Sequence, residues 1–211
     1  MSEHDPQQAV ARADLCRYLA ACYYEPGPEF TEEGLFGSML DAAARVDPDL
    51  AAHARRLGDA YTAQDAQTLL VDYTRLFLGP VDPRARPYGS FWLSGEATLM
   101  QESTVAVLEL YGQGGFEIDE EFRELPDHVA VELEFLYLLI FKQNQAKALG
   151  RRDELAAAER LQQEFLGVHL GAWIDPFTAA VRAGAETPFY RELAAFTARF
   201  VRMQADTATR H

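Results

Sequence analysis

The chain has 211 residues, 48% of them hydrophobic, which is enough for one domain with a sizeable core. Acidic residues number 33 against 19 lysines and arginines, and the net charge of −14 repels nucleic-acid phosphates while attracting cationic peptides. No apolar run reaches the roughly 18 residues of a membrane span, and the opening MSEHDPQQAVARADL lacks the basic-then-apolar pattern of a leader, so the expectation is a cytoplasmic protein without stable membrane insertion.

Alanine is abundant, β-branched runs are few, and apolar residues recur at helical spacing between turn signals. This predicts an all-α protein, a single helical domain over 1–211. The first helix is expected over 6–24, with Val10, Leu15, Tyr18, Leu19 and Cys22 as its apolar face, stopped by EPGPEF. Cys16 and Cys22 point in different directions on that helix, which predicts two core thiols and no disulfide. A second helix is expected after Thr31, capping it ahead of Glu32 and Glu33. Pro48 breaks it, and a third follows over 49–63. The fourth, over 66–78, holds DYTRLFLGP, with Tyr73, Leu76 and Phe77 on one side and Gly79 and Pro80 at its end.

A non-helical loop over about 79–95 comes next, carrying Tyr88, Phe91 and Trp92 either as core anchors or as a binding surface. A helix over 96–111, ended by GQGG, leads into the acidic connection FEIDEEFRELPD. There Glu117, Asp119, Glu120, Glu121, Glu124 and Asp127 face Arg123 alone, and a solvated face is the ordinary meaning of such a run. Further helices are expected over 127–148, 153–167 and 188–205, with a bend at Pro176 leading into a short helix over 177–184.

The stretch ELPDHVAVELEFLYLLIF is the most informative. Pro126 and Asp127 make a good helix start, the aspartate meeting the unpaired N–H groups of the first turn. His128 and Glu132, four residues apart, are predicted to share one face and a hydrogen bond that orients the imidazole, while Glu134 points elsewhere. Phe135, Leu136, Leu138, Leu139, Ile140 and Phe141 are apolar nearly all round the helix, which predicts burial on several sides. His128 with Glu132 is one half of a metal site at most, short of the paired Glu-x-x-His pattern of helix-bundle metal centres. No nucleophile elbow and no phosphate loop occurs, so neither an enzyme chemistry nor a cofactor or metal is predicted. An acidic, His-containing helix mouth beside an aromatic loop fits a peptide groove instead, with apolar walls for affinity and carboxylates for a basic motif.

LPDHVAVELEFLYLL resembles the signature of the TorD/DmsD/NarJ family, the maturation chaperones dedicated to molybdenum-cofactor oxidoreductases. YTRLFLGP is similar to that family's aromatic-x-x-Leu-Phe element, RPYGSFWL to its Pro-Tyr-x-Ser loop, and FLGVHLGAWIDPF through TPFYRELAAF to its C-terminal His-Leu-x-x-Trp and Phe-Tyr segments. Leu125 separates Glu124 from Pro126, a variant similar to a branch of anaerobic-dehydrogenase components. The resemblance implies an all-α chaperone fold without enzymatic activity, as a monomer or homodimer. The implied partner is the catalytic subunit of a molybdopterin oxidoreductase, held by its N-terminal, often twin-arginine, signal peptide until the cofactor is inserted. Carried over by motif, Asp127 and His128 are the implied signal-binding pair and Tyr88, Ser90 and Trp92 the loop contacts. Tyr73, Leu76 and Phe77 line the same groove, the last two chiefly as core packing, Glu132 orients His128, and Glu124 or Glu134 receives a guanidinium. His169 and Trp173 also match, the tryptophan as a core anchor. The alternative functions are a guanine-nucleotide hydrolase and a stable scaffold subunit of an anaerobic dehydrogenase.

Overall fold

Alternating helix starts and glycine stops cut the chain into helices, and the computed structural model describes residues 6–79, 82–93, 102–118 and 124–209. No strand occurs among the described residues, and the one extended pairing is an isolated antiparallel bridge between Tyr88 and His128. The first helix, α1 (Pro6–Ala21), packs against α8 (Val129–Ala148) and α3 (Leu35–Val46). From α3 the packing passes to α4 (Pro48–Thr62), then to α11 (Pro188–Ala208) and α10 (Leu170–Gly184), and α9 (Arg152–Val168) closes it against α8. Shorter pieces are α2 (Glu29–Glu32), α5 (Ala66–Tyr73) running on into a π-helical turn at Thr74–Leu78, α6 (Gly89–Leu93) and α7 (Glu102–Gly114).

One contiguous set of buried apolar residues, including Leu15, Tyr23, Phe135, Trp173, Phe177, Phe189 and Phe200, joins these helices. Each such Leu or Phe taken out of water contributes about 1.5–3 kcal/mol. Cys16 and Cys22 are buried free thiols within it. Small residues let α1 approach its neighbours closely: Ala9, Ala11 and Ala13 are buried, whereas Val10 is 53% exposed and does not belong to the buried face. Five residues before Leu15, Val10 lies about 140° away round the helix. Along α8, Phe135, Leu136, Leu139 and Ile140 are buried, but Leu138 is half-buried and Phe141 is 44% exposed, so the helix is not enclosed on all sides.

Several boundaries differ from the sequence reading. Thr31 lies inside α2, and the following long helix starts only at Leu35, because Gly34 takes a left-handed φ of 66° that interrupts the chain. The stretch read as a loop over 79–95 contains the helical turn Gly89–Leu93. The helix after it ends at Gly114, past Tyr111, and its expected start at residue 96 lies outside the described residues. Pro176 sits within α10 instead of breaking it. The carbonyl that would accept from the missing N–H belongs to Ala172, and both residues are on the exposed side of the helix, where a carbonyl is open to solvent.

Asp72 ties two distant elements together. Its Oδ2 accepts from the Thr187 N–H at 2.7 Å and the Thr187 hydroxyl at 2.8 Å, and its Oδ1 accepts from Arg75 at 2.9 Å. A buried carboxylate thus occupies the start of α11, where Pro188 opens the helix. Burial alone pushes the Asp72 carboxyl up, but the Thr187 and Glu186 donors and the Arg75 guanidinium outweigh it and hold it below the ordinary aspartate value.

Candidate functional site

His128, and not Asp127, caps α8. Its backbone is extended, with φ −67° and ψ 139°, and its Nδ1 accepts from the Ala130 N–H at 3.2 Å. An accepting Nδ1 places the ring proton on Nε2. Burial pushes the imidazole down to about 3, which makes it neutral.

The expected His128–Glu132 hydrogen bond does not form. His128 stands outside the helix, so the four-residue stacking rule does not reach it. Glu132 turns inward, fully buried, and its Oε2 accepts from the Trp173 indole N–H at 3.0 Å while Oε1 has no hydrogen-bond partner. Burial raises the Glu132 carboxyl well above the ordinary value, the Trp173 bond opposes this in part, and nearby Asp127 adds to the rise. Trp173 is the expected core anchor, with this polar tip. His169 is buried beside it, its ring stacked on Phe165 at 6.2 Å.

Residues 87–90 are zipped onto residues 127–129. The Gly89 N–H donates to the Asp127 carbonyl at 2.8 Å, the Ser90 N–H to Asp127 Oδ2 at 2.7 Å, and the Val129 N–H to the Pro87 carbonyl at 2.8 Å. Asp127 and Ser90 are therefore both buried, and Asp127 holds the loop. Only glycine fits at 89, because a β-carbon would lie 2.9 Å from Trp173 Nε1 and 3.0 Å from Glu132 Oε1. Trp92 is half-buried, tucked back by a bond from Nε1 to the Arg86 carbonyl at 2.8 Å.

The accessible carboxylates lie on either arm of an aromatic group around His128. Tyr88 sits edge-on to the imidazole at 5.5 Å and donates its hydroxyl to Glu124 Oε2 at 2.7 Å. Tyr24 stacks on the imidazole at 6.0 Å and donates to Glu134 Oε1 at 3.0 Å. Burial and the paired carboxylates push both tyrosine hydroxyls up, so they stay protonated and donate to those carboxylates. Glu124 and Glu134 are half-buried, each with lone pairs left for another donor. Tyr73 is buried against Phe77 and Tyr190, and burial together with Glu124 and Glu25 pushes its hydroxyl up to about 12.

The site thus gathers Tyr73, Tyr88, Glu124, His128 and Glu134, with Asp127, Ser90 and Glu132 beneath as supports. Tyr24 is the member that sequence reasoning missed. Its signal was the aromatic pair in YYEPGPEF, read only as a helix end. Of the acidic connection, Asp119, Glu120 and Glu121 lie outside the described residues. Among the described residues no group of three His, Cys, Asp or Glu side chains is placed to hold a metal ion.

The profile of the nitrate reductase delta subunit family matches residues 43–179. The chain belongs to this family. Within it, the TorD/DmsD/NarJ relationship expected from the motifs is met by chaperones. The TorD chaperone of Photobacterium profundum is 31% identical over 157 residues, spanning 74% of this chain and 71% of that one. The TorD chaperone of Vibrio parahaemolyticus is 30% identical over 67% of this chain and 65% of its own length, and that of Vibrio atlanticus is 26% identical over 91% and 92%. These relatives of the delta-subunit family member are named as chaperones and not as enzymes. Its fold is shared with an Archaeoglobus fulgidus protein described as a redox enzyme maturation protein, at a TM-score of 0.50 and 18% identity, covering 98% of this chain and 95% of that one. No helix among its described residues is long and apolar enough to cross a membrane.

Proposed function

We propose that the protein is a cytoplasmic maturation chaperone for the catalytic subunit of a molybdopterin oxidoreductase. It binds the N-terminal, twin-arginine type signal peptide of the apoprotein, assists cofactor insertion and holds back export. Family membership and the chaperone names of the relatives support the general role. One observation carries the peptide assignment: Glu124 and Glu134 are each anchored by a tyrosine that itself packs on a neutral His128. A guanidinium offers five donors in a planar fork, and each half-buried carboxylate can take one such fork while keeping its tyrosine bond. The net charge of −14 draws a basic peptide toward the site.

The test is calorimetric titration with the N-terminal peptides of the host's molybdoenzymes, each as its Arg-Arg, Lys-Lys and Ala-Ala version, at low and high salt. The expected result is that one Arg-Arg peptide binds, more weakly at high salt, with Lys-Lys weaker and Ala-Ala weakest. Equal binding of the three versions would contradict the assignment.

A further inference from the structure

Charge is split unevenly along the chain. Residues 1–134 carry 9 basic and 25 acidic side chains, a net −16, whereas residues 135–211 carry 10 and 8, a net +2. The aromatic group around His128 draws its carboxylates from the first part. In the second part, α10 and α11 meet at a short turn where arginines gather. The Arg75 guanidinium donates to the Gly184 carbonyl and the Arg191 guanidinium to the Ala185 carbonyl, each at 2.7 Å, which caps the end of α10. The stem of Arg84 lies against the same turn, since a β-carbon added at Gly184 would stand 3.0 Å from Arg84 Cβ. Arg182 is in the last turn of α10.

Capping accounts for Arg75 and for part of Arg191. Arg75 is fully engaged, because it also pairs with Asp72 at 2.9 Å and with Glu186 at 3.0 Å. Glu192, the carboxylate next to Arg191, is held by His53 at 2.6 Å and Arg56 at 2.9 Å. Arg84, Arg182 and Arg191 are exposed, and among the described residues none of them takes part in an ion pair. Arg191 keeps four of a guanidinium's five N–H groups for another acceptor. Like charges left together without a counter-charge favour a bound anion.

Beside these arginines an open groove of about 620 Å³ runs between α10 and α11. Arg182 and Arg191 stand in its lining, and Ala179, Ala183 and Ala195 give it a floor of small side chains over which a peptide backbone can lie close. The cations are spread along the groove and its end instead of enclosing one point, which suits several carboxylates on one chain better than a single small ion. Each arginine fork can take one carboxylate by two parallel bonds.

We propose that the α10–α11 groove, with Arg84, Arg182 and Arg191 along it, docks an acidic segment of a partner protein. This goes beyond the leader-peptide reading and does not depend on it, since the leader brings cations and this surface takes the opposite sign.

The experiment measures fluorescence anisotropy of a labelled peptide of alternating Glu-Glu and Ala-Ala pairs, and of its Gln-for-Glu counterpart, titrated with the full-length protein at low and high salt. Wild type is compared with Arg84→Glu and Arg182→Glu, whose side chains hold no bond within the fold, and with Arg152→Glu, an exposed arginine at the start of α9 that makes the same change of net charge. Thermal unfolding of each variant checks the fold. The glutamate peptide is expected to bind at least tenfold more tightly than the glutamine peptide, and less tightly at high salt. Arg84→Glu and Arg182→Glu should each weaken it about fivefold or more, with Arg152→Glu within twofold of wild type. Equal binding of the two peptides, no binding of either, or a loss in Arg152→Glu as large as in the other two overturns the inference. So does displacement of the glutamate peptide by sodium tripolyphosphate at an equal or lower concentration, which would make the arginines a small-anion site. An Arg-Arg leader peptide run in parallel should bind all four proteins alike, so this inference and the leader-peptide reading fail separately.

Discussion

Tyr24 and His128 lie face to face, their ring centroids 6.0 Å apart and their planes 10° from parallel, although 104 residues separate them in the chain. The contact joins the end of α1 to the start of α8 and buries the imidazole in its neutral form. Its folded value of about 3 against an ordinary 6.5 means that the unfolded chain binds the extra proton between those limits. Stability contributed by neutral His128 is therefore fully present above about pH 6.5 and lost progressively as the pH falls toward 3. By pH 5 the loss from this one group is about 2 kcal/mol. His128→Asn keeps a side-chain acceptor for the Ala130 N–H, so urea unfolding at pH 7 and pH 5 should show a smaller acid loss in the variant than in wild type.

Glu132 has the opposite sign. Its carboxyl is raised in the folded state, so the fold binds the proton more tightly than the unfolded chain does, and stability falls as the pH rises above about 4.5. Glu132→Gln retains an acceptor for the Trp173 N–H and cannot ionise. The variant should gain stability relative to wild type as the pH increases from 5 to 8, read from urea midpoints. A gap that stays constant over that range would show that the fold does not raise the Glu132 carboxyl.

Gly89 is the tightest point of the loop against the site. A β-carbon 2.9 Å from Trp173 Nε1 and 3.0 Å from Glu132 Oε1 forces the loop outward or breaks the indole bond. Gly89→Ala is expected to cost about 1–3 kcal/mol, the usual range for overpacking. Tryptophan fluorescence should change with it, since the Trp173 indole loses its partner.

Asp72 holds the start of α11. Its depressed carboxyl contributes stability above about pH 3.8 that disappears as the pH drops through its folded value. Asp72→Ala leaves the Thr187 and Glu186 N–H groups unpaired and removes the charge facing Arg75. A loss of about 3 kcal/mol at pH 7 is expected from chemical denaturation, the magnitude of a broken buried pair.

The helices were legible in the sequence because their period and stop signals are local. Pro48 ahead of α4, the GQGG stop after α7 and the apolar run of α8 each act within a few residues. What was not legible depended on distant chain. Val10 looked apolar and faces water, since which arc of α1 is buried depends on α3 and α8. Pro176 looked like a break and is tolerated because its side of α10 is exposed. At the site, Asp127, His128 and Glu132 were recognisable as a set, but their division of labour was not. Spacing suggested that Asp127 caps the helix and that Glu132 orients the histidine. The capping histidine, the loop bond to Ser90 and the indole of Trp173 reassigned all three. Tyr24 escaped notice because its partners lie 104 and 110 residues away.

The central claim is that Glu124 and Glu134 receive the paired guanidinium groups of a leader peptide. The measurement that tests it most directly is the affinity of one Arg-Arg leader peptide for wild type, Glu124→Gln, Glu134→Gln and the double variant, by calorimetry at a fixed low salt concentration. Each single variant should weaken binding about tenfold, roughly 1.4 kcal/mol, and the double variant should bind the Arg-Arg and Ala-Ala peptides alike. If the double variant keeps the wild-type preference for arginine, the carboxylates beside Tyr24 and Tyr88 are not the arginine site and the account is wrong.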